Sequence, residues 1–478
     1  MTDPFVVVGG DAAGLSAASK FLRERTDDRE VIVFERGSWI SFAHCGTPYY
    51  VKGEVETLLD LTSLSPADVT ERGIDLRRDH EVLELAPDRD LVRVAGPDGE
   101  FDQPFSELLV ATGATANRGP FDLSPAGAFT LHGMDDAAAL RALVTPPGEP
   151  VEDGALPDAV DRARVDRYAD EPVPAAVAVV GGGYVGVEMA EAFTARGVDV
   201  HLFQRPDRLL PPFGTAAAEV VADHLESAGV HLHLGGEVTE ILTENGRVSA
   251  VVHDGHPDDP SPLPVDAALV GVGVDPAVDP VAGAAVDLGD SGAVAVDRYG
   301  RTSRESVYAA GDCAEARHVV TGEPTWVPLG LTANRAGRAV GATVAGDPTP
   351  TGGVAGTAAV KAFDAEAARS GFVGDEAARE AGFEPVTETV TAGSRSGYYP
   401  GASETTVTLT ADRGTGRLLG GAIAGTDRAA VRIDTVATAL EAGLTVPELE
   451  RADLAYAPPF SPVWDPVLVA AKVLAGRL

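Results

Sequence analysis

Two glycine-rich turns constrain this chain most, because each joins a β-branched run to a helix and the same order of elements occurs twice. The first copy runs Phe5-Val6-Val7-Val8, Gly9-Gly10-Asp11-Ala12-Ala13-Gly14, a helix-forming stretch from Leu15 to Arg25, and Val31-Ile32-Val33-Phe34 ending in Glu35. The second runs Ala176-Val177-Ala178-Val179-Val180, Gly181-Gly182-Gly183-Tyr184-Val185-Gly186, a helix through Glu188 and Ala195, and a strand from Val198 to Phe203. Such apolar runs suit strands buried on both faces of a parallel sheet. In a G-x-G-x-x-G turn the backbone approaches a pyrophosphate at a helix N-terminus, and an acid about 20 residues on takes ribose hydroxyls. Gly9, Gly14 and Glu35 are therefore expected to contact one dinucleotide, and Gly181, Gly183, Gly186 and Glu188 another. The fold class that follows is α/β with two Rossmann-like dinucleotide-binding domains.

Both copies depart from the pattern. In the first, Asp11 replaces the middle glycine. In the second, Gln204-Arg205 stands where a carboxylate would select a free ribose hydroxyl. Arginine there suits a 2′-phosphate, so NADPH is expected at least as readily as NADH, unless Arg205 only meets solvent.

Between the two turns, Ser41-Phe42-Ala43-His44-Cys45-Gly46-Thr47-Pro48-Tyr49-Tyr50 carries one of only 2 cysteines in 478 residues. Pro48 suits a first helical turn, which places Cys45 near a helix N-terminus whose dipole is expected to lower the thiol pKa. Leu108 to Ala114 reads as a strand ending in Ala111-Thr112-Gly113, a small hydroxyl and a tight turn suited to a nucleotide or simply to a strand end. Val307 to Ala314 ends a strand in Gly311-Asp312, and Cys313 beside it reads as a small buried filler. Residues 145–174, with many acids and prolines and no apolar periodicity, read as a solvated linker or insertion. The expected domains are 1–120 with 295–350, then 121–294, then an α/β segment 351–478 that lacks a glycine turn.

Composition excludes several functions. A net charge of −36, with 73 acidic against 37 basic residues, argues against nucleic-acid partners. Only Lys20, Lys52, Lys361 and Lys472 are lysines, and so acidic a surface with so little lysine fits solubility at molar salt, as in a halophile. Two cysteines form no disulfide framework, and no leader or membrane span is evident, so a cytoplasmic protein is expected. No metal is expected.

The ordered set of both turns, the lone cysteine, Ala-Thr-Gly, Gly-Asp and a C-terminal α/β segment resembles the flavin-dependent pyridine nucleotide-disulfide oxidoreductases over essentially the whole chain. Within them, Ser41 to Tyr49 is similar to the Ser-Phe-x-Asn-Cys-x-x-Pro-Tyr signature of the single-cysteine branch, which includes coenzyme A disulfide reductases, NADH oxidases and NADH peroxidases. His44 occupies the usual asparagine position. The resemblance implies FAD in the first domain, with Thr112, Gly113 and Asp312 among its contacts, and NADPH or NADH in the second beside Arg205. It implies a homodimer built on residues 351–478, with Tyr184 as a gate over the flavin. No second cysteine lies near Cys45, no histidine follows His318, and Ala12 stands where peroxide- and oxygen-reducing relatives carry histidine. Gly397-Tyr398-Tyr399-Pro400-Gly401 and Ala455-Tyr456-Ala457-Pro458-Pro459-Phe460-Ser461 are similar to the paired tyrosine segments of coenzyme A disulfide reductases. The implied catalytic residues are Cys45, Tyr398 and Tyr456, and the implied substrate contacts are Arg23, Ser41 and His44. The implied reaction is reduction of coenzyme A disulfide or a related small disulfide or polysulfide; an NAD(P)H oxidase and a non-catalytic redox sensor remain open alternatives.

Overall fold

The computed structural model describes residues 3–254 and 261–478; Met1 and Thr2, part of the expected leaderless start, lie outside them. The first glycine turn belongs to a parallel sheet ordered Val307–Ala309, Glu107–Val110, Phe5–Val8, Val31–Phe34, Asp75–Arg77. Phe5, Val6 and Val7 have no exposed surface, as a strand covered on both faces requires. Val307–Ala309 joins this sheet from far along the chain and brings Asp312 to the same edge as Gly9. The helix Ala12–Glu24 packs on Gly330–Val344, where a Cβ on Gly337 would lie 2.1 Å from the Ala13 carbonyl oxygen and one on Gly341 2.3 Å from that of Ala17. Those two glycines let the helix backbones touch.

The second turn repeats this plan in a parallel sheet ordered His231–Leu234, Asp199–Gln204, Ala176–Val180, Ala267–Val270, Ala128–Phe129. Three-stranded antiparallel sheets, Glu81–Ala86 with Leu91–Gly96 and Gly99–Pro104, and Val238–Glu244 with Arg247–His253 and Leu263–Pro264, flank the two units. The C-terminal unit is a five-stranded antiparallel sheet with Leu418–Gly425 at its buried centre, backed by the helices Ile433–Glu441 and Pro466–Ala475. Among the described residues no helix is long and apolar enough to cross a membrane.

The stretch 145–174 is not a solvated linker. Leu156, Val160, Val165 and Tyr168 are buried in the core beside the second sheet, and the buried Glu152 carboxylate accepts hydrogen bonds from the Tyr50 hydroxyl at 2.9 Å and the Leu58 N–H at 3.0 Å. Its apolar residues are too widely spaced to show a period, yet Leu156, Val160, Val165 and Tyr168 each pack against a neighbouring surface. A second buried carboxylate ties three regions together. Glu191, on the helix Tyr184–Ala195, takes Lys52 at 2.6 Å, Lys361 at 3.1 Å and the Phe363 N–H at 3.0 Å. Two of the four lysines thus converge where an arginine fork is not needed.

Candidate active site

The two glycine turns are built alike. Gly9 and Gly181 have φ of +115° and +109°, and a Cβ on Gly14 or Gly186 would lie within 1.9 or 1.8 Å of the Gly9 or Gly181 carbonyl oxygen. Each turn is braced from the next strand: Glu35 Oε2 accepts from the Gly10 N–H at 2.8 Å, and Gln204 Oε1 from the Gly182 N–H at 2.8 Å. Glu35 Oε1 also accepts from Gly37, and each oxygen keeps a lone pair for a ribose hydroxyl. Burial raises the Glu35 pKa against these two bonds. A Cβ on Gly183 would meet nothing within 4 Å, so this position opens onto the ligand side of the turn. Asp11 holds the matching place in the first turn.

Cys45 lies in a short 3-10 turn, His44–Gly46, that runs into the helix Thr47–Lys52 with Pro48 in its first turn. The loop before it docks on the first fingerprint through the Ser41 N–H, which donates to the Gly10 carbonyl at 3.2 Å; Ser41 itself has a φ of +49°. Cys45 is a free, exposed thiol, whereas Cys313 is fully buried and donates weakly to the carbonyls of Val110 and Ala310. The expected lowering of the Cys45 pKa is reversed: although the residue keeps solvent access, the protein packed around its sulfur strips water from a thiolate and raises the pKa, and the carboxylates of Glu188 and Asp312 raise it further. A six-residue helix does not offset this desolvation and two negative charges together.

Glu188, expected among the dinucleotide contacts, also reaches the helix that follows the cysteine turn. Its Oε1 accepts from the Tyr49 hydroxyl at 2.9 Å, and burial lifts its pKa to about 7. Asp312 is lifted by burial to about 6, and its buried Oδ1 has no partner. His44 turns toward the fingerprint: Nε2 lies 2.7 Å from Asp11 Oδ2 and Nδ1 2.9 Å from the His132 carbonyl oxygen, with the Phe42 ring 4.1 Å away. Burial works against charge on His44, but Asp11 outweighs it and the pKa rises.

The other expected residues fall in several places. The Thr112 hydroxyl donates to the Ala277 carbonyl at 2.5 Å, and Gly113 makes its turn with φ +72°. Arg205 is exposed beyond the second strand, 3.9 Å from Glu237. Arg23 is exposed near the end of its helix, and the Tyr184 ring packs edge-on against Phe213. Tyr398 and Tyr456 are brought close enough for each hydroxyl to feel the other, and Tyr398 raises the Tyr456 pKa. Arg428 Nη2 donates to the Pro459 and Phe460 carbonyls at 3.0 and 2.9 Å, and Arg432 Nη2 to those of Ser394 and Phe460 at 2.6 and 3.2 Å, which holds the two tyrosine segments side by side. Tyr398, Phe460, Val463 and Trp464 form an exposed apolar face, with Tyr398 at 77%. Asp199, His201 and His231, which sequence did not mark, place ligand atoms within 4.8 Å of one another; His231 pairs with Asp199 at 3.2 Å, and the cluster takes no part in the chemistry below.

Residues 3–338 match the pyridine nucleotide-disulphide oxidoreductase family, and residues 357–466 match its dimerisation domain. The chain belongs to this family. It is 36% identical over 477 residues, 99% of both chains, to an NAD(P)H coenzyme A polysulfide/persulfide reductase of Pyrococcus horikoshii. It is 28% identical to a coenzyme A disulfide reductase of Staphylococcus haemolyticus, covering 95% of this chain and 96% of that one. A solved NAD-dependent persulfide reductase from A. fulgidus superposes with a TM-score of 0.89 at 30% identity, over 99% of this chain and 83% of that one. As a member of the family the chain is an oxidoreductase that uses FAD and a nicotinamide dinucleotide. The residues present fit both groups. The buried, unpartnered Asp312 Oδ1 needs a hydroxyl donor at the first sheet, and the open space beyond Gly183 admits a diphosphate at the second.

Proposed function

We propose that this chain reduces coenzyme A disulfide, or a related small disulfide, persulfide or polysulfide, with NADPH or NADH through Cys45 as its single redox cysteine. One observation carries the reading: the exposed free thiol is Cys45, and the chain's other thiol is fully buried, so the disulfide partner must come from outside. The Cys45 thiolate attacks one sulfur of the substrate; the S–S bond breaks, one thiol leaves, and a mixed disulfide remains. FAD held by Gly9, Gly14, Glu35 and Asp312 would supply the electron pair, drawn from the nicotinamide, for cleavage of this mixed disulfide. The second thiol then leaves and Cys45 returns to thiolate, so that one reduced nicotinamide and one proton yield two thiols.

The raised thiol pKa gives the surrounding acids a task. Glu188, half-protonated near pH 7 and held by Tyr49, takes the thiol proton before attack in this reading and returns it to a leaving thiolate. Tyr398 and Tyr456 are assigned to the partner's site in a homodimer formed over the exposed Tyr398, Phe460 and Trp464 face; there their hydroxyls donate to the leaving sulfur. The likeness to the Pyrococcus horikoshii and A. fulgidus proteins favours a persulfide or polysulfide as a second substrate of the same site.

The test is anaerobic oxidation of NADPH and NADH with coenzyme A disulfide by the wild type and Cys45→Ser, with mass spectrometry of the purified protein. The reading expects turnover lost in Cys45→Ser and a coenzyme A adduct on Cys45 that dithiothreitol removes. Turnover retained in Cys45→Ser, or oxidation in air without disulfide at the disulfide-dependent rate, overturns it.

A further inference from the structure

The two departures from the expected sequence patterns meet in space. Asp11 replaces a glycine in the first phosphate-binding turn, His44 replaces an asparagine beside the cysteine, and the His44 imidazole is 2.7 Å from the Asp11 carboxylate. Asp11 is the N-cap of the helix Ala12–Glu24, yet its side chain makes no capping bond to that helix. An aspartate at an N-cap ordinarily accepts from the first-turn N–H groups, which in this fold are wanted by a diphosphate. At the matching Gly183 of the second turn a Cβ would meet no protein atom within 4 Å, so the protein leaves room at this place in the turn. A lone carboxylate at that place would compete with the diphosphate for the N–H groups and repel its charge.

We propose that His44 is a positioning residue that draws the Asp11 carboxylate off the helix N-terminus and neutralises it, which makes an aspartate-bearing turn compatible with the FAD diphosphate while tying the Cys45 turn to that fingerprint. The hydrogen bonds require the charged ring: Nδ1 faces the His132 carbonyl and Nε2 faces a carboxylate, both acceptors, so both nitrogens donate. The charged or titratable groups facing His44 are Asp11, Asp312 and His132. The two carboxylates favour the imidazolium, and the pKa of His132 is lowered by burial and by the neighbouring His44 charge. The same bond gives the cysteine turn a second tether to the fingerprint beside the Ser41 N–H contact with Gly10.

The proposal rests on the first fingerprint holding FAD, and the experiment separates the two. Apoprotein of the wild type, Asp11→Gly, His44→Asn and the double variant is titrated with FAD by flavin fluorescence, and the alkylation rate of Cys45 by iodoacetamide is followed in each. His44→Asn, which leaves Asp11 unpaired, is expected to weaken FAD binding about tenfold, and the double variant to recover to within about threefold of wild type. Asp11→Asn in the His44→Asn background, which removes charge without removing the side chain, is expected to recover likewise. Wild-type affinity is expected to fall as pH rises through the raised His44 pKa, and that slope is expected to vanish in the double variant. A His44→Asn variant that binds as wild type does, or single effects that merely add in the double variant, overturns the pairing. A wild type that binds no FAD overturns the fingerprint reading instead.

Discussion

Replacing Glu188 by glutamine removes one negative charge beside Cys45 and keeps an oxygen for the Tyr49 hydroxyl. Burial raises the Glu188 pKa from an ordinary 4.5 to about 7, so folding favours its protonated form by about 3 kcal/mol. Because the folded-state pKa is the higher one, that contribution is fully present below pH 4.5 and is lost as pH rises through 7. Glutamine does not titrate. The stability of Glu188→Gln relative to wild type, read from urea unfolding of the holoprotein at fixed salt, is therefore expected to improve by about 3 kcal/mol between pH 4.5 and pH 8. The same change lowers the Cys45 pKa part way, since burial, the largest cause of its elevation, stays in place. With more thiolate present, Cys45 alkylation near pH 7.5 is expected to be faster than in wild type. Turnover is expected to fall despite the more reactive thiol, because the proton acceptor is gone. Parallel stability profiles at all pH values, or an unchanged alkylation rate, would refute the assignment of Glu188 to the cysteine's surroundings.

Glu191→Gln leaves Lys52 and Lys361 short of a buried counter-charge, and it is expected to lower unfolding free energy by about 3 kcal/mol at neutral pH, measured as a shift in urea midpoint at constant slope. Tyr456→Phe removes a proposed donor to the leaving sulfur and is expected to lower kcat with coenzyme A disulfide about tenfold while leaving FAD reduction by NADPH intact in stopped flow. Arg205→Ala is expected to raise KM for NADPH about tenfold and leave that for NADH unchanged; equal effects on the two would remove Arg205 from phosphate recognition.

Much of the framework was legible because its determinants are local. A Gly at φ above +100° against a carbonyl oxygen, a β-branched strand and a helix start are all written within a dozen residues, and they appear twice. The stretch 145–174 misled for the opposite reason. Its buried residues Leu156, Val160, Val165 and Tyr168 carry no period, so only the surfaces they meet define them as core. Cys45 was visible as the candidate redox thiol, but its pKa was not. The helix behind it is a local feature, whereas burial of the sulfur, and after it the charges of Glu188 and Asp312, come from other parts of the chain and reverse its effect.

The sequence by itself determined that this chain carries two dinucleotide turns, a lone cysteine between them and two tyrosine segments near its end. Only the tertiary structure decided what those parts do to one another. It turned Glu188 toward Tyr49 and the cysteine, placed Asp312 Oδ1 without a partner at the first sheet, and joined Tyr398 to Tyr456. It also set His44 against Asp11, so that two residues that each read as a departure became one ion pair. The physical reason is that charge acts through distance in space and through burial, and both are properties of the folded chain rather than of spacing along it.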